Sequence, residues 1–218
     1  MKSSWLRLVV VAALSIGALA VSTAGAAASG VDPSINRSSG QTAQVSFQIT
    51  DPGNACLVTS GFVFGGNFQN SSPGTPTTQE MFGGVVVVRN DICVGTFLSG
   101  VFYKGPIPAG AFQIDKSLTT ASLVATVVAT DDNRNAVPVS LDIVWAGTGL
   151  LTSGEFSKHI QSPGLNIVVH SSGDSRDAQA AGTVVVGGDS LAIQAPGSLQ
   201  SNRSFELFVC HSPLTGCK

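Results

Sequence analysis

The chain has 218 residues with 11 Lys+Arg against 13 Asp+Glu, a formal net charge of −2, and 43% hydrophobic content. That hydrophobic fraction excludes a disordered chain. The missing basic cluster excludes the phosphate contacts that nucleic-acid binding requires, and any polybasic footing on an anionic membrane.

Residues 1–28 have the form of a signal peptide. Lys2 and Arg7 precede the apolar run "LVVVAALSIGALAV", Leu8 to Val21, and Ala26-Ala27-Ala28 fits A-x-A cleavage before Ser29, with cleavage after Ala26 as the alternative. The run is shorter than the roughly 20 residues that span a bilayer. The expectation is therefore a secreted, extracellular protein with no membrane insertion after signal removal. Loss of Lys2 and Arg7 takes the basic count from 11 to 9 against 13 acids, a net charge of −4.

Residues 29–44, rich in Ser, Gly and Asn, are expected to form a flexible N-terminal stretch, followed by a β-sandwich domain over 45–218. Strand signals then recur in order: "AQVSFQIT", "CLVTSGFVFGG", "QEMFGGVVVV", "ICVGTFLSGVFY", and, after the Pro/Gly connection "KGPIPAGAF", "LTTASLVATVVAT" and "VPVSLDIVW". "GEFSKHI", "LNIVVHSS", "RDAQAAGTVVV", "SLAIQA" and "RSFELFVC" complete the series. No window combines an N-cap, an apolar helical stripe and a C-cap. The predicted fold is all-β, an antiparallel β-sandwich of about ten strands. A closed β-barrel is the alternative, and two small sandwiches divided near 105–110 is a third. Alternation puts Leu141, Ile143 and Trp145 on one face, so Trp145 is expected in the core.

Cys56, Cys93, Cys210 and Cys217 make an even set, which in an exported chain predicts two disulfides, preferably Cys56–Cys93 and Cys210–Cys217. Zinc is the rival use, but no C-x-x-C spacing supports it.

"VVVGGDSLAIQ" holds the letters Gly188-Asp189-Ser190-Leu191, which resemble the nucleophile block of GDSL esterases. That block leads into a helix and needs a downstream Asp-x-x-His; here Phe208 stands three residues before His211. Two apolar runs flanking Gly-Gly-Asp predict a hairpin turn instead. His159, His170 and His211 have no spacing that assembles a base with a nucleophile.

"TDDNRNAVPVSLD" sets Asp131, Asn133 and Asn135 at alternate positions, with Asp142 eleven residues beyond Asp131. Calcium takes such oxygen ligands, so these four are the metal candidate. The competing interpretation is an Asx-rich turn that satisfies its own backbone.

"VSLDIVWAGTG", "FSKHIQSPG" and "SRDAQAAGTVVVGG" resemble exported bacterial all-β proteins with a W-x-G-x-G segment (Trp145, Gly147, Gly149) and an R-x-A-x-A-x-G strand (Arg176, Ala178, Ala180, Gly182). The resemblance covers the second half and implies the fold and export, with no activity assigned. Arg176 is expected to pair with Asp174 or Asp142. Together these features predict an exported, non-catalytic binding or envelope/matrix-associated protein, with an unknown protein or glycan of the cell exterior as partner and no cofactor. The alternative is a secreted hydrolase with a loop-built site.

Overall fold

A computed structural model describes residues 34–162 and 165–210. The signal segment, His211 and Cys217 lie outside them, and so does the expected Cys210–Cys217 bridge. The described residues form ten strands and no helix: β1 (Ser34–Asp51), β2 (Asn54–Ser71), β3 (Thr78–Asp91), β4 (Thr96–Pro106), β5 (Phe112–Ile114), β6 (Thr120–Asp131), β7 (Ala136–Gly147), β8 (Thr152–Ser162), β9 (Leu165–Val186) and β10 (Asp189–Cys210).

All pairings are antiparallel and belong to one sheet, in the order β10-β1-β2-β3-β4-β6-β7-β9-β8, with β5 on β6 and β9 also paired to β10. The hydrogen-bonded path thus returns to its start, and its thinnest join is the β4–β6 pairing of Val101 with Asp131 and Phe102 with Thr130. The sheet folds so that β1 and β2 face β5 and β7 over a single core. The ring of Phe112 fills the space above Gly65, and the indole of Trp145 lies against Gly197 and Gln44.

Residues on both sides of 105–110 share that core, including Val45, Val63 and Val85 with Leu123, Ile143 and Leu199. One domain, not two, follows from this shared burial. Strict alternation makes the core: on β6 and β7 every second residue from Ala121 to Ala129 and from Val139 to Trp145 is buried. Small residues make room for large ones. Trp145 pairs with Ala180, and a Cβ on Gly182 (φ 150°) would lie 2.0 Å from the carbonyl oxygen of Asp142.

One expectation is corrected and two are met. The polar stretch 29–44, expected to be flexible, is strand from Ser34 onward, because β10 and β2 on either side supply its backbone with partners. The Cys56–Cys93 bridge forms as expected, with a Cα–Cα distance of 5.2 Å. It extends the β2–β3 ladder into the β3–β4 turn, where the amide of Ile92 also donates to the carbonyl of Cys56. The turn at Gly187–Gly188 is a two-residue hairpin with both φ values positive, and Ser190 sits on β10 opposite Val185.

Candidate functional site

Beyond the core, β3, β2, β1, β10, β9 and β8 run on as a six-strand wing. Register sorts its side chains onto two different faces. The face continuous with the core carries Arg37, Gln41, Glu155, His170, Asp174, Arg176 and Arg203, all in the alternation of Ala43 and Leu199. The opposite face carries fewer charges, Glu80, Lys158, Asp177 and Glu206.

A hollow of about 380 Å³ opens on that opposite face across β1, β10, β9 and β8. Two cross-strand rows build it. One is Gly40–Asn202–Gly173–Gly154; the other is Thr42–Gln200–Ser175–Thr152. At about 4.8 Å per strand the rows extend about 14 Å. The ring of Phe68 closes one end, lying over Gly40 and Gly66. At the other end Phe156, 57% exposed, stands one row away opposite Ser171. Of the charged side chains of this face, Glu80 stands opposite Phe68 in line with the Gly40 row, Asp177 lies in the row next to Ser175 and Gln200, and Glu206 and Lys158 lie two rows beyond Gly40 on the other side.

The three glycines of the hollow differ in what the fold asks of them. A Cβ on Gly40 would meet the Phe68 ring at 2.6 Å, and one on Gly173 would meet the Ser201 carbonyl oxygen at 2.7 Å. A Cβ on Gly154 would meet nothing within 4 Å. Packing therefore requires the first two and leaves the third without a steric reason. What the bare backbone at Gly154 does is keep the hollow open.

A second hollow, about 430 Å³, lies over β6, β7 and β9 and is bordered by Pro108, Val124, Val185 and the lone carboxylate of Asp142. It offers fewer converging hydrogen-bonding groups, which are what orient a ligand. A separate apolar cluster, Ile92, Val94, Phe97 and Leu98, is exposed on the disulfide-braced β3–β4 turn.

The structure does not bring the calcium candidates together. Asp131 spends both carboxylate oxygens on its own turn, accepting from the amide of Asn135 at 2.7 Å and from its Nδ2 at 3.0 Å. The Asn135 side chain, then its amide, lowers the Asp131 pKa. Asp142 is six residues along β7 from Ala136, about 20 Å at the rise of a strand, and pairs with Val124. Among the described residues the cluster with metal-ligating groups within reach is Cys56, Asp91 and Cys93, whose sulfurs are joined to each other.

Nor does a hydrolytic triad assemble among the described residues. His170 stacks on Phe205, with ring centroids 5.4 Å apart. Asp174 accepts from Ser153 Oγ at 2.6 Å and from Ser201 Oγ at 3.5 Å. His159 faces the same side, opposite Val168. The expected pairing of Arg176 is also corrected. Asp142 points to the other face, Asp174 is engaged by the serines, and Arg176 Nε is buried without a hydrogen-bond partner.

No protein-family profile matches the sequence, and no curated protein matches it. Among solved structures, the chain is similar to a Nitrosomonas europaea protein provisionally assigned as AttH, at 12% identity and a TM-score of 0.36. The match covers 81% of this chain and 53% of that one, so the chain spans about half that protein's length.

What sequence reasoning missed is the hollow itself. Its residues come from four separated segments, near 40, 153, 174 and 201, and only the register aligns them. The one local signal was Gly154, a glycine inside an otherwise strand-forming run with no turn to make.

Proposed function

We propose that this chain is an exported, non-catalytic binding protein that holds its ligand in the hollow across β1, β10, β9 and β8. One observation carries this: neutral hydrogen-bonding side chains from four strands converge on an opening that Gly154 keeps clear without any packing need. The Cys56–Cys93 disulfide supports an oxidising compartment outside the cytoplasm. Among the described residues no histidine is hydrogen-bonded to a serine, which favours binding over hydrolysis.

The test is thermal melting of the wild type and of Gly154→Leu against neutral oligosaccharides, acidic oligosaccharides and extended peptides. A ligand at about 100 times its Kd raises stability by about 2.7 kcal/mol, a melting shift of roughly 5–10 °C at this size. The expected result is a shift in the wild type that Gly154→Leu abolishes. A shift equal in both proteins would place the ligand elsewhere and contradict the proposal.

A further inference from the structure

Resting on that placement of the ligand, we infer that the hollow takes a neutral polysaccharide chain, laid across the strands from Phe68 toward Phe156. The inference has three supports. First, the groups that point into the hollow are hydroxyls and carboxamides: Thr42, Thr152, Ser175, Gln200 and Asn202. Each can donate and accept, which suits a ligand whose own polar groups are hydroxyls. Second, the two rows carry no charged side chain across their four strands. The Asp174 carboxylate lies on the core side of the sheet, hydrogen-bonded to Ser153 and Ser201, and the three wing arginines lie on that side too. An anionic polymer would meet no cation in the two rows, and the carboxylates of Glu80 and Asp177 stand beside them. Third, the exposed ring of Phe156 offers an apolar face beside the polar rows, as the C–H face of a sugar ring requires.

The extent fits a chain better than a single sugar. The rows cross four strands, about 14 Å, and among the described residues no strand lies beyond β8 to wall the hollow on that side. A polymer can therefore continue past Phe156 into solvent. An extended peptide would be expected to pair with the free edge of β8 instead, which needs no hollow.

Titration calorimetry with hexasaccharides of the cellulose, laminarin, xylan, mannan and chitin types tests this, using the wild type, Gly154→Leu, Thr152→Ala and Phe156→Ala. The expected result is binding of at least one hexasaccharide, weakened by about tenfold or more in Gly154→Leu and Phe156→Ala with melting temperatures unchanged. Thr152→Ala, which removes one hydroxyl and leaves the backbone as it is, is expected to weaken the same sugar. Failure of all five to bind overturns the inference. If an acidic oligosaccharide or a peptide binds instead and Gly154→Leu abolishes it, the hollow remains the ligand site and only the neutral glycan is wrong. If a neutral sugar binds equally well to all four proteins, both the placement and the inference fall.

Discussion

The indole N–H of Trp145 on β7 donates to the carbonyl oxygen of Gln44 on β1 at 3.1 Å, joining the two facing parts of the sheet through the core. Gly197 makes this approach feasible: a Cβ there would lie 2.4 Å from that oxygen and 3.2 Å from the indole. Trp145→Phe keeps most of the apolar burial but orphans the acceptor, so a loss of about 1–3 kcal/mol is expected. Gly197→Ala should destabilise as well, by displacing the ring. Denaturant unfolding of both variants measures this, and an unchanged midpoint for Gly197→Ala would contradict the tight contact.

Reduction should expose the work of the Cys56–Cys93 bridge, which closes a separation of 37 residues. Replacing both cysteines with Ser is expected to cost about 2–4 kcal/mol. The β2–β3 ladder already holds the two ends near one another, so the lower part of that range is expected. Intact mass after alkylation without reductant should show Cys56 and Cys93 blocked; free thiols at both would contradict the bridge.

Asp115 governs the β5–β6 turn and sets a pH dependence. Burial acts to raise its pKa, but the side chains and amides of Thr119 and Thr120 outweigh this and hold the carboxyl far below the ordinary range. They also fix Leu118, fully buried at φ 54°. A depressed folded-state pKa stabilises above the unfolded value, about 3.9, and the gain is lost as pH falls below it. Asp115→Asn should therefore be less stable than wild type at pH 7, with the gap narrowing from about pH 4 downward. A gap that is constant from pH 7 to pH 2 would refute the assignment.

Asp131 is expected to act as a turn residue whatever the calcium concentration. Asp131→Ala should be modestly less stable than wild type, because it loses the hydrogen bonds that close its own turn. Melting in calcium and in EDTA should coincide for both proteins. A calcium-dependent rise in the wild type alone would restore the metal candidate.

Much of this architecture is legible in the sequence, because alternation and turn chemistry are local. Val184–Val186 with Gly187–Gly188 predicts its hairpin, and Leu141, Ile143 and Trp145 predict their buried face. The long strands are not legible in the same way. β9 and β10 each look like two strands, since "GDS" and "PGSLQSN" resemble turns. Both run through because ladders on each side satisfy the polar backbone. Pro196 is tolerated where pairing with β1 ends at Gly197, and Pro138 sits one residue before pairing with β9 begins at Val139. The hollow depends on register across four strands, which no single segment encodes.

The binding proposal stands on ligand contact at the Gly154 hollow. Amide chemical-shift mapping of the folded, disulfide-bonded protein during titration with the tightest-binding oligosaccharide tests it most directly. Shifts should concentrate at residues 152–154, 173–175 and 200–202. Shifts that leave those amides unmoved and gather instead on the apolar β3–β4 turn, at Ile92, Val94, Phe97 and Leu98, would contradict it.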